Sequence, residues 1–452
     1  MLGVIALSSS FALEIPEADG SDGELTITSA NCTNGVYTIN LGRAATKAWN
    51  DRPVKPGCGV YDPDKWAVVF KYTSVRIDEG CTLKFVNHPS NPPVFWLVSG
   101  DVVINGLINL DGGHGQDTSD SSAMFCSQPG PGGFAGGLKV RGCGFGPGGG
   151  YTSGDYYGAS ASHATLGIKH TSYYGTDNYG IIYGDKTLIP LMGGSGGAAN
   201  NVNDYAGGGA GGGAICIAAK GNVSLGVSGR ISARGGRGGG DTTHAYSYNY
   251  GFTCFGGSGS GGAVRIIAEK FQGQGYIDVT GYSGSAAEVA NDLKVGIAWV
   301  DESVKGGNGY IRLDATFQNN PNDFNHWTVK PSIGSTDNII LWADAKITPL
   351  TIGGVSLPTD PHYREDGRNE CLSFTTTGER ELVFRTENIP TEAQVVVKVT
   401  PLQCDSSFTT QNIVAVMDEG GTYASATWRA MIPLRFARTT FQILVSTTPL
   451  YE

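Results

Sequence analysis

Charge is scarce in this chain, positive charge most of all. Lys and Arg together number 31 of 452 residues against 41 Asp and Glu, a formal net charge of −10, and no basic run offsets it locally. That balance argues against recognition of nucleic acid or of an anionic membrane through a general electrostatic field. No stretch approaches the roughly 20 apolar residues of a bilayer-spanning helix, so no transmembrane segment is expected. The cysteines form no CxxC pair and none lies near a His at zinc-finger spacing, so neither a metal nor another cofactor is indicated. A nucleophile elbow, a phosphate loop, HExxH and the kinase motifs are all missing. GxGxxG matches carry no weight in a chain so rich in Gly, and no helical pattern follows them to offer an N-terminus to a phosphate.

Glycine is present in excess: 69 residues, about twice average usage. Each interior Gly costs a helix about 1 kcal/mol relative to Ala, so long helices are not expected. The glycines keep no strict triplet period, which removes collagen, and 40% apolar residues suffice for a core. The length predicts one large core and a smaller second one. The nine cysteines suit a disulfide reading and hence an oxidising compartment. Cys126 and Cys143 bracket one glycine-rich excursion, and Cys371 and Cys404 both fall in the last hundred residues; these are the preferred pairs. Cys216, inside the apolar run AICIAA, reads as a buried thiol. Residues 1–20, opening MLGVIALSSSFALE, read as a leader without its positive start, or as an N-terminal extension.

One unit recurs: PVFWLVSGDVVINGLINLDGGHG from Pro93, GGAICIAAKGNVSLGVSGRISARGG from Gly212, GGAVRIIAEKFQGQGYIDVTGYSG from Gly261 and GNGYIRLDATFQ from Gly307. Each full copy holds an apolar strand, a small turn, a second and third strand, then Gly-Gly. Val223, Leu225 and Val227 face one way and Asn222, Ser224 and Ser228 the other, with Ile231 and Ala233 continuing past Gly229. WAVVFKYTSVRIDEGCTLKFVNHPS reads as an earlier copy, and LTITSANCTNGVYTINLG as the first coil or its cap. The expectation is an all-β chain whose residues 21–327 form a right-handed parallel β-helix, or solenoid. Glycine-rich insertions interrupt it at about 112–211, 241–257 and 283–306, and are expected to lie extended against one face, pinned by their own Tyr and Phe. Past 328, strands spaced by turns at ten-residue intervals predict an immunoglobulin-like β-sandwich over 328–452.

Two charged clusters flank the insertions: Asp111, His114, Asp117 and Asp120 at the first, and Arg230, Arg234, Arg237, Asp241 and His244 at the second. Facing each other across a groove they could serve a polysaccharide lyase or glycoside hydrolase, which needs paired acid and base groups; more commonly such residues are solvated or hold turns. Tyr156, Tyr157, Tyr173, Tyr174, Tyr246, Tyr248 and Tyr250 are interleaved with Gly, Ser, Asn and Asp. A flat apolar ring with a polar tip suits sugars and protein epitopes alike, so these are the candidate binding residues; their plainer role is to hold the insertions down.

At GVYDPDKWAVVFKYTSVRI, PVFWLVSGDVVINGLINLDG, GPGGFAGG, GGSGG and GGGAICIAA, over about residues 19–315, the chain resembles glycine-rich β-helical bacterial surface proteins and phage tail adhesins. The later part looks like the immunoglobulin-like modules such proteins carry. The resemblance implies an extracellular, cell-surface or virion location, self-association into a surface or fibre assembly, and possible contact with a cell-surface glycan. It supplies no catalytic residue. The expected function is a non-catalytic structural or adhesive protein, with the polysaccharide-cleaving enzyme as the alternative.

Overall fold

The computed structural model describes residues 13–117, 125–138, 144–150, 158–167, 180–200, 206–240, 256–282, 305–317, 321–337, 339–342, 346–357, 377–391, 394–401, 411–434 and 439–446. Among them there is no α-helix; the chain is all-β. It opens with β1 (Gly23–Ile27), β2 (Val36–Asn40), β3 (Ala45–Thr46) and β4 (Val60–Asp62), then the long β5 (Ala67–Ile77) and β6 (Thr82–Val86). β7 (Val94–Val98), β8 (Val102–Ile104) and β9 (Leu107–Asn109) form one triplet, and β10 (Ala214–Ala219), β11 (Val223–Leu225) and β12 (Arg230–Ser232) another. β13 (Ala263–Gly273), β14 (Tyr276–Asp278), β15 (Tyr310–Phe317) and β16 (Ser332–Gly334) follow.

The recurring segments pair in parallel and in register. Val68, Val94, Ile215, Val264 and Ile311 are successive partners, as are Phe70, Trp96, Ile217, Ile266 and Leu313. The expected right-handed β-helix is nevertheless corrected by the pairing pattern, which describes a closed ring of six parallel strands joined to further parallel and antiparallel sheets. The reason lies in strand length. β5 and β13 are each 11 residues long, so each spans two short strands: β5 pairs β7 then β8, and β13 pairs β10 then β11. The β7–β10 and β8–β11 pairings close the ring. A second parallel sheet, in the order β14-β12-β9-β6-β2, lies apart from it. Its inward ladder of Leu83, Ile108, Ile231 and Ile277 shares the main core with Trp96, Ile217 and Leu313.

Both faces of β7, β10 and the first half of β13 are covered, which is why they read as unbroken apolar runs. Ile215 and Ile217 enter the main core. Cys216 and Ala218 face an outer cluster with Ile15, Phe95, Leu188, Leu191 and Leu341. Trp96 is the largest of the fully buried side chains, and Trp96→Ala would cost about 3–5 kcal/mol. Val227 departs from its expected inward position: it is 79% exposed. It sits past the end of β11 in the corner closed by Gly229 N donating to Gly226 O at 2.8 Å, where alternation no longer applies.

Beyond residue 346 two antiparallel sheets enclose a separate core. β17 (Lys346–Ile352), β18 (Val355–Ser356), β19 (Gly378–Glu387), β20 (Gln394–Pro401), β21 (Gln411–Val414), β22 (Val416–Met417), β23 (Ala426–Leu434) and β24 (Thr439–Ser446) supply the strands. They pair as β18-β17-β19-β23-β22 and β21-β20-β24. Phe384, Trp428 and Ile432 of the first sheet meet Val395, Val397 and Val399 of the second.

Candidate functional site

The glycine-rich insertions supply the molecule's second structural layer. From Gly207 to Gly213 each backbone N–H finds a partner, and the partners rotate. Gly207, Ala210 and Gly213 donate to Gln116, Gly113 and Leu110; Gly208 and Gly211 to Gly137 and Phe134; Gly209 and Gly212 to Gly257 and Ser260. Every third residue faces the same neighbour, the period of a polyproline II helix, which makes no internal hydrogen bonds and must spend all its donors outside. Segments 110–116, 131–137, 194–200, 207–213, 233–239 and 256–262 are joined in this way into one buried bundle. Spacing between segments is set by the absence of side chains: a Cβ on Gly211 would lie 1.8 Å from Gly194 O, and one on Gly208 1.9 Å from Gly197 O.

Where the bundle admits side chains they are small, or they are hydrogen-bonded. Ser195 Oγ accepts from Gly148 N at 3.0 Å and donates to Tyr183 Oη at 3.0 Å, while Tyr183 Oη donates to Gly193 O at 2.5 Å. Burial raises the Tyr183 phenol above its ordinary range. His163, fully buried, stacks on Tyr183 at 4.4 Å and meets the Tyr310 ring edge-on at 5.0 Å. Its Nδ1–H donates to Gly261 O at 2.8 Å, since a carbonyl can only accept. Desolvation pushes its pKa down to about 4, so at neutral pH the imidazole is uncharged and anchors the segment.

The hydrogen-bond registers also locate the points where connecting segments leave. Gln116 takes Gly207 N through its carbonyl and Phe125 N through its side chain. Gly207 O takes Gly239 N, and Gly239 O takes Gly256 N. Gly137 O takes Gly208 N, Gly150 N bonds Gly196 O, Asn200 N bonds Ala206 O, and Gly180 N bonds Ser160 O. Tyr282 O takes Gly306 N about one turn lower. The residues flanking 118–124, 139–143, 151–157, 201–205 and 241–255 therefore gather at one end of the bundle, while those flanking 168–179 and 283–304 lie about one turn lower, near the level of residues 258–260. Tyr156, Tyr157, Tyr173, Tyr174, Tyr246, Tyr248 and Tyr250 lie outside the described residues, as do Asp120, Asp241 and His244.

The two charged clusters do meet, and they meet as pairs. Asp111 Oδ1 accepts from Ser232 Oγ at 2.6 Å and Arg234 N at 2.7 Å. Arg237 N donates to His114 Nδ1 at 3.1 Å, and its guanidinium reaches Asp117 Oδ1 at 2.9 Å, which also takes Gly240 N. Arg230 and Arg234 share Asp278, at 2.6 and 3.6 Å. These groups tie the start of the first insertion to the end of β12 and the segment after it, and that segment in turn to β14. A general acid needs a displaced pKa and an opening for substrate, whereas these carboxylates are committed to guanidinium and backbone partners. A third ion cluster escaped sequence reasoning: Asp314, 1% exposed, binds Arg265 and Arg312, and Arg265 Nη1 donates to Ile340 O at 2.7 Å. Its signal was present, because Arg265 and Arg312 occupy equivalent positions in AVRIIA and YIRLDA. It pins 339–342 over the outer face.

Among the described residues no cluster of His, Cys, Asp and Glu could hold a metal, and no helix is long and apolar enough to cross a membrane. Of the preferred cysteine pairs, Cys126 is buried, and Cys143, Cys371 and Cys404 lie outside the described residues. Cys216 is sealed in the outer cluster, where burial pushes its thiol up to about 12. The chain matches no protein-family model, no curated protein and no solved structure.

Proposed function

We propose that the chain is a non-catalytic structural and adhesive subunit of an extracellular, cell-surface or virion assembly, with the glycine bundle as a rigid mount for contact loops. The observation that carries this reading is the gathering of five connection points at one end of a hydrogen-bonded bundle, with two more about one turn lower. Loops mounted on a rigid scaffold can vary in sequence without disturbing what holds them. Four of the seven connections contain tyrosine, the residue that gives most contact area for least lost rotamer freedom. A glycan or receptor on a cell surface is the partner this chemistry suits.

The committed state of Asp111, Asp117 and Asp278 supports the non-catalytic half of the proposal. A glycan array probed with the full chain tests the adhesive half: binding is expected, and Tyr246→Ala with Tyr248→Ala is expected to reduce it at least about tenfold, as loss of an aromatic anchor does. Unchanged binding in that variant removes the loop assignment. Cleavage of any member of a polysaccharide panel, abolished by Asp111→Asn, would replace the proposal with an enzyme.

A further inference from the structure

Cys32 lies in the turn between β1 and β2, and Cys81 immediately precedes β6. The first turn is stiff. Thr28 N donates to Asn31 Oδ1 at 2.8 Å, Asn31 Nδ2 to Thr26 O at 2.7 Å, and Thr33 and Val36 exchange backbone bonds at 2.9 and 3.0 Å. It is also stitched to the second turn on both sides of the cysteines, by Asp78 N to Ile27 O at 2.9 Å and Thr82 N to Gly35 O at 2.8 Å. Cys81 is buried in the main core, and Cys32, half-buried, packs on that core from its edge. These backbone bonds bring the two side chains to the same edge of the main core. They are therefore held together by backbone on two strands, while the other described cysteines occupy separate places in the fold.

We propose that Cys32 and Cys81 are a dithiol site that a low-molecular-weight disulfide, such as glutathione disulfide, converts to a cross-link. The Cys32 thiolate attacks one sulfur of the reagent, forming a mixed disulfide and releasing one thiol. Cys81 then gives up its proton and attacks the Cys32 sulfur, forming the Cys32–Cys81 bond and releasing the second thiol. Two protein thiols lose two electrons and two protons, and one reagent disulfide becomes two thiols. The order follows from access. Burial and the Cys32 neighbour raise the Cys81 thiol above its ordinary range, so the half-exposed partner reacts first. The bond would fasten the β1–β2 turn to β6, at the outer edge of the second sheet, and close a loop of about 50 residues, restricting the unfolded chain.

The test uses the full chain, reduced with dithiothreitol and then exposed to glutathione disulfide under native conditions. Non-reducing peptide mapping by mass spectrometry is expected to recover a peptide linking Cys32 to Cys81, and the melting temperature is expected to rise by several degrees. A Cys32→Ala chain that melts with the reduced wild type is folded, and is expected to lose the oxidation-dependent rise. Recovery of Cys32 as a stable glutathione adduct with Cys81 unmodified, recovery of both unlinked, or a rise that survives Cys32→Ala would overturn the assignment.

Discussion

One added methyl group distinguishes two uses of glycine in this molecule. At Gly211 it would sit 1.8 Å from Gly194 O, backbone against backbone, with no flexible side chain to give way. Gly211→Ala is therefore expected to cost more than about 3 kcal/mol, above the usual range for overpacking. Gly354→Ala meets nothing within 4 Å and carries only the strain of its φ of +80°, worth about 1–2 kcal/mol. Urea titration of both variants checks the contrast; equal losses would mean that close approach is not what selects glycine in the bundle. His163 offers a second residue-scale test. Its folded pKa of about 4 lies below the 6.5 of a free imidazole, so between those values the unfolded chain binds the extra proton. Stability is thus expected to fall as pH drops from 6.5 to 4, by about 3 kcal/mol in total. His163→Phe, titrated in parallel, is expected to lack that portion of the slope.

At the scale of the element, the bundle separates hydrogen bonding from regular secondary structure. Segment 207–213 forms no strand, yet its donors are all paired and its residues buried. Native hydrogen exchange at Gly207–Gly213 is expected to be as slow as at Ala214–Ala219 of β10, and exchange typical of loops would contradict the bundle. The same contrast explains what could be read beforehand. PVFWLV, AICIAA, AVRIIA and YIRLDA announce strands, and Leu83, Ile108 and Ile231 alternate as inward residues should. Their closed-ring pairing was not legible, because it depends on β5 and β13 running on where β7 and β10 stop, and strand ends leave little trace in a hydrophobic pattern. Nor were the bundle partners: a segment of bare glycine has no side chain to record which of three neighbours each residue faces. The charged clusters were legible as neighbours across two insertions, while their pairing with backbone and guanidinium groups was not.

On the scale of the whole molecule, two cores are separable. The parallel unit and the bundle share the main and outer clusters, whereas Phe384, Val397 and Trp428 belong to a core with no member from residues before 347. A bridging ion pair, Lys346 with Asp64 at 2.6 Å, is exposed on both sides and adds at most about 1 kcal/mol. Calorimetry of the full chain is expected to show two transitions, with quenching of Trp428 reporting one of them; a single transition would mean that the cores unfold together. The three-way rotation of partners in the bundle sets a rule for how this chain can change its length. Removing one residue between Gly207 and Gly213 turns every later donor by a third of a revolution, onto a neighbour whose acceptor is already taken. Removing three brings each donor back to its own side. Inherited insertions and deletions inside the bundle should accordingly come in threes, while the connections at its end are free to vary by any number.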